Sequence, residues 1–127
     1  MLLGQRGISQ VVEMGIAATL RLVGIGSLEA DAYTLSTGMV EREEFESARR
    51  AGAAGEILGH MFNAAGKRIE SDLSARTLSM DVAAIGKRAT VAIAGGSSKV
   101  KAIKAALASG LLHGLITDER TARALAA

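Results

Sequence analysis

Cysteine is absent from this sequence, which removes disulfides, thiolate catalysis and cysteine-held zinc at once. Aromatic residues are scarce at 2%, leaving too little ring surface to stack nucleobases or sugar rings. Charge of one sign is not concentrated either: 15 Lys and Arg stand against 13 Asp and Glu, a net charge of +2. No run of five basic residues occurs, so no DNA-binding footprint is visible. No apolar stretch approaches the roughly 18 residues that a membrane span needs. Met1, Leu2 and Leu3 give way at once to Gly4, Gln5 and Arg6, so no secretory signal is expected and a cytoplasmic location is. The two histidines, His60 and His113, stand far apart without ligand spacing, so neither a metal nor a cofactor site is expected.

What is present is aliphatic. Hydrophobic residues make up 49% of 127 residues, enough for one domain with a real core. Ile8 to Met14 has the spacing of an amphipathic helix that offers Val11, Val12 and Met14 to that core. Thr19 to Ile25 reads as a strand, and Leu28 to Gly38, without a period, as a loop. Val40 to Arg50 carries glutamates early and arginines late, the order a helix dipole favours. Ile57 to Phe62 and Lys67 to Ile69 flank Asn63-Ala-Ala-Gly66 as a hairpin. A short strand is expected over Ala75 to Leu78 and a helical turn over Met80 to Ile85. The last third reads strand, helix, strand, helix over Thr90–Ala94, Ser98–Ser109, Leu112–Thr117 and Glu119–Leu125. Strands alternating with helices predict an α/β domain, a parallel sheet covered by helices, occupying residues 1–127 without internal repeat.

The segment Thr90-Val-Ala-Ile-Ala-Gly95-Gly96-Ser97-Ser98-Lys99 is the most informative. An apolar strand ends at two glycines, and Ser97 and Ser98 are natural N-caps for the helix that follows. Lys99 opposes the positive end of that helix, where an anion is favoured. Together these make a plausible phosphate pocket, although a solvated Lys99 is the plainer alternative. Glu56 stands beside Gly55 at the mouth of an apolar run, either as a polar ligand group or as a solvated strand end. Gly24-Ile25-Gly26 lacks the third glycine of a dinucleotide fingerprint, Glu29 standing there instead. Gly66-Lys67 and Gly86-Lys87 lack the spacing of a P-loop. Arg76 is ambiguous, His113 reads as a structural residue at a strand start, and Asp118 as the N-cap of the last helix.

Four motifs in order, Val23-Gly24-Ile25-Gly26-Ser27-Leu28, Gly52-Ala-Ala-Gly55-Glu56-Ile57-Leu58-Gly59, Ala92-Ile-Ala-Gly95-Gly96-Ser97-Ser98-Lys99 and Leu115-Ile-Thr-Asp118-Glu119, resemble the sugar-binding domain of SorC-family, DeoR-like bacterial transcriptional regulators. The resemblance runs from about Leu2 to Leu125. It implies a fold similar to sugar-phosphate isomerases and coenzyme A transferases, with a phosphorylated sugar bound at the C-terminal edge of the sheet. Carried onto this sequence, Lys99 meets the phosphate with Gly95 and Gly96 near it. Glu56 holds sugar hydroxyls, and Gly24 and Gly26 let the backbone approach the ligand. Family members carry a helix-turn-helix and a further part of the sugar-binding domain ahead of the matched region, so the chain corresponds to the C-terminal part of an effector domain.

The expected function is therefore effector binding in a regulator of carbohydrate metabolism. Operator DNA would be met only through a separate domain, and an uncovered sheet predicts a homo-oligomer. An isomerase or lactonase of the same fold is the alternative, and a pure oligomerisation domain a further one. Catalysis needs a matched acid and base, and only Glu56 with His60 is a candidate pair. On one strand they would lie roughly 13 Å apart, which argues against an enzyme.

Overall fold

Two sheets are built from strands that the chain visits in turn. The computed structural model describes residues 2–127. After a 3-10 turn at Leu2–Gly4 come α1 (Arg6–Ala17), β1 (Leu20–Val23), β2 (Gly26–Ser27), α2 (Tyr33–Ser36) and α3 (Arg42–Arg50). There follow β3 (Ala53–Ile57), β4 (His60–Asn63), β5 (Arg68–Ile69), α4 (Asp72–Arg76) and α5 (Val82–Gly86). The chain closes with β6 (Ala89–Ile93), α6 (Val100–Ala108), β7 (Gly114–Ile116) and α7 (Glu119–Ala126). Strands β1, β6 and β7 form a parallel sheet in that order, and β2 to β5 an antiparallel meander. The chain passes from one sheet to the other through Gly24 and Ile25. The α/β class with a parallel sheet is as expected, and the antiparallel sheet is added to it.

Alternation on β1 and β6 sends Val23 and Ala92 into a core with Ile25, Ile57, Ile85 and Ile103. A second core gathers Leu28, Phe45, Ala48 and Met61 under the meander. Helix α6 bridges sheet and meander because Gly55 has no side chain: a Cβ there would stand 2.6 Å from the Ala102 carbonyl oxygen. Arg21, buried on β1, donates from Nε to the Gly15 carbonyl at 2.8 Å and from Nη2 to the Ile16 carbonyl at 3.1 Å. Its Nη1 reaches the Ile85 carbonyl at 3.2 Å. The guanidinium thus satisfies carbonyls left open at the end of α1 and ties that helix to α5.

Several local expectations are corrected. Helix α1 forms but buries no residue, and Val11 and Met14 stand 68% and 72% exposed instead of entering the core. The loop at Leu28 to Gly38 contains α2. The apolar run Ile57 to Phe62 is two strands, because Leu58 and Gly59 both take positive φ (50° and 85°) and close a two-residue hairpin. Ala75 to Leu78 is no strand: Ser71 and Ser74 exchange a capping box that starts α4, a motif disguised by serine where glutamate is usual. Neither Ser97 nor Ser98 caps α6; they form a 3-10 turn, Ser97–Lys99, that runs into it. The Asn63–Gly66 turn joins β4 to β5 as expected. Asp118 caps α7, accepting from the Thr121 N–H at 2.8 Å.

Candidate functional site

Where the parallel sheet ends and the meander begins, a cleft of about 510 Å³ opens between the Gly24–Ser27 crossing, the α2 segment and the start of α6. Gly24, Gly26, Glu56 and Lys99 all line it. Residues far apart in sequence are thus brought to one place by two sheets meeting at their ends. Asp31, Tyr33 and Thr34 form the opposite wall. These three lie in the segment without periodicity, so their only sequence signal was their polarity beside the Gly24–Ser27 motif.

Lys99 is half-buried, and its Nζ donates to the Ile25 carbonyl at 2.9 Å. An ammonium carries three N–H donors, so this bond fixes the group at the cleft while leaving donors for a ligand. Opposite it on β3, Glu56 accepts the Gly59 N–H at Oε1. Its other oxygen, Oε2, lies over Gly26, where a Cβ would come within 2.3 Å. Gly26 makes room for a carboxylate there. Among the ion pairs of the described residues, none involves Lys99 or Glu56. The cleft therefore presents a cation held by a carbonyl and an acceptor held by an amide, both oriented by backbone.

Gly95 and Gly96 lie behind this cleft and do not line it. Gly96, at φ 111°, donates its N–H to Thr121 Oγ1 at 2.9 Å. Thr121 in turn donates its hydroxyl to Asp118 Oδ2 at 2.8 Å. A Cβ at Gly95 would collide with the same carboxylate oxygen at 2.4 Å. The backbone N–H of Thr121, and next its hydroxyl, hold the Asp118 carboxyl below its ordinary pKa of 3.8. Gly96 and the α7 cap thus form one hydrogen-bonded unit, with Gly95 packed against its carboxylate, that sets the path into Ser97, Ser98 and Lys99.

The acid–base alternative changes its geometry. Glu56 and His60 are not on one strand: β3 pairs with β4 so that Glu56 faces Met61 and Ile57 faces His60. His60 is buried, its Nε2 against the Met80 carbonyl and near Ser79 Oγ. A nitrogen held by a carbonyl carries the proton there, and the ring serves to tie β4 to the Met80 segment. His113 is structural as well, its Nδ1 accepting the Thr90 N–H at 3.2 Å. Arg76 pairs with Glu44 and does not line the cleft. No group of three potential ligands that could hold a metal occurs among the described residues. No described helix is long and apolar enough to cross a membrane.

Comparison with known proteins agrees with this architecture. The family described as "Putative sugar-binding domain" matches residues 1–127. The chain is 50% identical, over 98% of its length, to the erythritol catabolism regulatory protein EryD of Brucella abortus. It is 37% identical, over 97% of its length, to the transcriptional regulator LsrR of an Enterobacter species. In both cases it spans 39% of the relative's own length. A solved DeoR-family regulator from Listeria monocytogenes superposes with a TM-score of 0.88 at 25% identity, over 97% of this chain and 50% of that one. The first is named as a regulatory protein and the other two as transcriptional regulators, none as an enzyme. The chain belongs to the sugar-binding domain family found in SorC/DeoR-type transcriptional regulators.

Proposed function

We propose that this chain is the effector-sensing part of a regulator of carbohydrate metabolism and that its effector is a phosphorylated sugar or polyol. The single observation that carries the reading is the cleft itself, with Lys99 and Glu56 lining the same small space. The phosphate is met by Lys99 and by the amides at the start of α6, since a charge-assisted contact to an oxyanion suits both. Glu56 accepts from the hydroxyls, and Gly24 and Gly26 keep the floor low enough for both ends of a short ligand. Gly95 and Gly96 act indirectly by shaping the turn into Lys99. The 50%-identical relative is named for erythritol catabolism, which favours a short polyol as the carbon skeleton.

In this reading the effector shifts a homo-oligomeric regulator between states with different operator affinity, and DNA is touched only by a separate domain. The test is thermal unfolding of an intact regulator containing this region, with erythritol phosphate and with erythritol. At a hundredfold excess over Kd the phosphorylated ligand adds about 2.7 kcal/mol of stability. Equal shifts from the two compounds would overturn the phosphate assignment.

A further inference from the structure

The cleft is unevenly charged. Its charged lining consists of Lys99, Glu56 and Asp31, one cation against two anions. Among the ion pairs of the described residues, none involves any of the three. The next cation along α6, Lys101, lies outside the cleft and is already paired with Glu29 at 3.2 Å. Glu56 is fixed by the Gly59 N–H at Oε1 and keeps Oε2 over Gly26. Asp31 stands exposed in the turn ahead of α2, with its carboxylate uncompensated by any cation of the cleft. The hydroxyls of Ser27, Tyr33 and Thr34 are the neutral polar groups between them.

A phosphate carries a charge of about −1.5 to −2 at neutral pH and takes the one ammonium available. Beyond Lys99 the lining then offers two carboxylates, which accept hydrogen bonds and donate none. Hydroxyl groups satisfy such acceptors, and so does an ammonium. A second anionic group on the ligand finds no cation there and meets two like charges. We infer that Asp31, together with Glu56, makes the site selective for effectors with one anionic end and an uncharged, hydroxyl-bearing remainder, and that it rejects phosphorylated sugar acids and bisphosphates. Asp31 is thereby a specificity-determining residue that acts by repulsion, the device that separates ligands of nearly equal size. A polyol phosphate and the matching acid differ only by a carboxylate in place of a terminal hydroxymethyl group, so a well-shaped pocket alone would hold both. The inference rests on the reading of Lys99 as the phosphate ligand and names the class of skeleton that the same site accepts.

The test measures dissociation constants by calorimetry on an intact regulator containing this region. Four compounds are compared: erythritol, erythritol phosphate, phosphorylated erythronate, and phosphorylated aminodeoxyerythritol with an ammonium in place of the far hydroxyl. The acid should bind about tenfold or more weakly than erythritol phosphate, the effect of like charges at the dielectric of a protein surface. The amine should bind at least as tightly as erythritol phosphate. Asp31→Asn keeps the shape and removes one charge, and should narrow the gap between polyol and acid severalfold. An acid that binds as tightly as the polyol overturns the inference. So does an equal loss for acid and amine, which would mean that shape decides, or a gap that Asp31→Asn leaves unchanged. Each of these results can stand beside a kept preference for erythritol phosphate over erythritol, and then spares the reading of Lys99. Erythritol binding as tightly as its phosphate, or binding by none of the four, overturns that reading and the inference with it.

Discussion

Gly26 and Glu56 face each other across the β2–β3 ladder, and the carboxylate occupies the space a side chain at position 26 would need. A methyl at Gly26 would lie 2.3 Å from Oε2, the far end of a flexible chain, and 3.3 Å from the Glu56 Cβ. The carboxylate can swing away at little cost to the fold. Gly26→Ala is therefore expected to leave the unfolding midpoint nearly unchanged while displacing the acceptor from the cleft. A hydrogen bond to a charged group is worth about 1.5–3 kcal/mol, so effector affinity should drop about tenfold to a hundredfold by calorimetry. An equal loss of stability and affinity would mean that Gly26 serves the sheet alone.

Lys99 separates binding from folding in the same way. Its Nζ makes one bond to the Ile25 carbonyl at 2.9 Å, and Lys99→Ala should cost about 1 kcal/mol of stability. The phosphate contact it provides is charge-assisted and worth more. Affinity for the phosphorylated effector should fall about tenfold to a hundredfold, and affinity for its free counterpart should hardly move. Calorimetry with both compounds distinguishes this from general damage to the cleft.

Buried Arg21 is expected to matter for stability and not for ligand. Arg21→Met removes three donors and leaves the Gly15, Ile16 and Ile85 carbonyls to find other partners. Leaving such groups unsatisfied costs about 1–3 kcal/mol each when buried. Those at the end of α1 can recover water, so the loss should be about 2–3 kcal/mol in urea unfolding. Effector affinity of the surviving folded protein should be unchanged, because Arg21 does not line the cleft.

The legible and illegible parts of this fold differ in where their information lies. The β6–α6–β7–α7 run was readable because each strand is an apolar burst and each helix a 3.6-residue pattern, bounded by Gly95, Gly96, Gly110 and Asp118. Lys99 and Glu56 could be singled out because charge beside glycine is conspicuous. The hairpin at Leu58-Gly59 was hidden, since leucine seldom takes a positive φ and the run Ile57 to Phe62 looks continuous. α1 was seen as amphipathic, but period alone could not say that its apolar side would meet no core within these residues. Arg21 carries no such signal, because a charge inside a strand pattern looks like an outward residue. Only the carbonyls of Gly15 and Ile16 at the turn out of α1, and that of Ile85 far along the chain in α5, explain why it points inward.

Asp118 supplies a pH signature for the loop behind the cleft. Its folded-state pKa lies below the ordinary 3.8, first because of the Thr121 N–H and next because of the Thr121 hydroxyl. A carboxyl with a lowered folded pKa contributes stability that is fully present above the unfolded value and is lost as pH falls through the folded one. The loss should therefore begin just below pH 4 and deepen with further acidification. It should be modest, because the carboxyl is solvent-exposed. Asp118→Asn removes the titration while keeping a cap of similar shape. Its urea midpoint should lie below that of the parent at pH 7, and the gap should narrow as the pH falls below the ordinary carboxyl value of 3.8. The Gly96 N–H depends on the same Thr121 hydroxyl oxygen, so the protection of the Gly96 amide against exchange, relative to its intrinsic rate, should fall over the same pH range in the parent and not in the variant. A parent and variant that lose stability in parallel between pH 5 and pH 3 would show that Asp118 does not hold this loop.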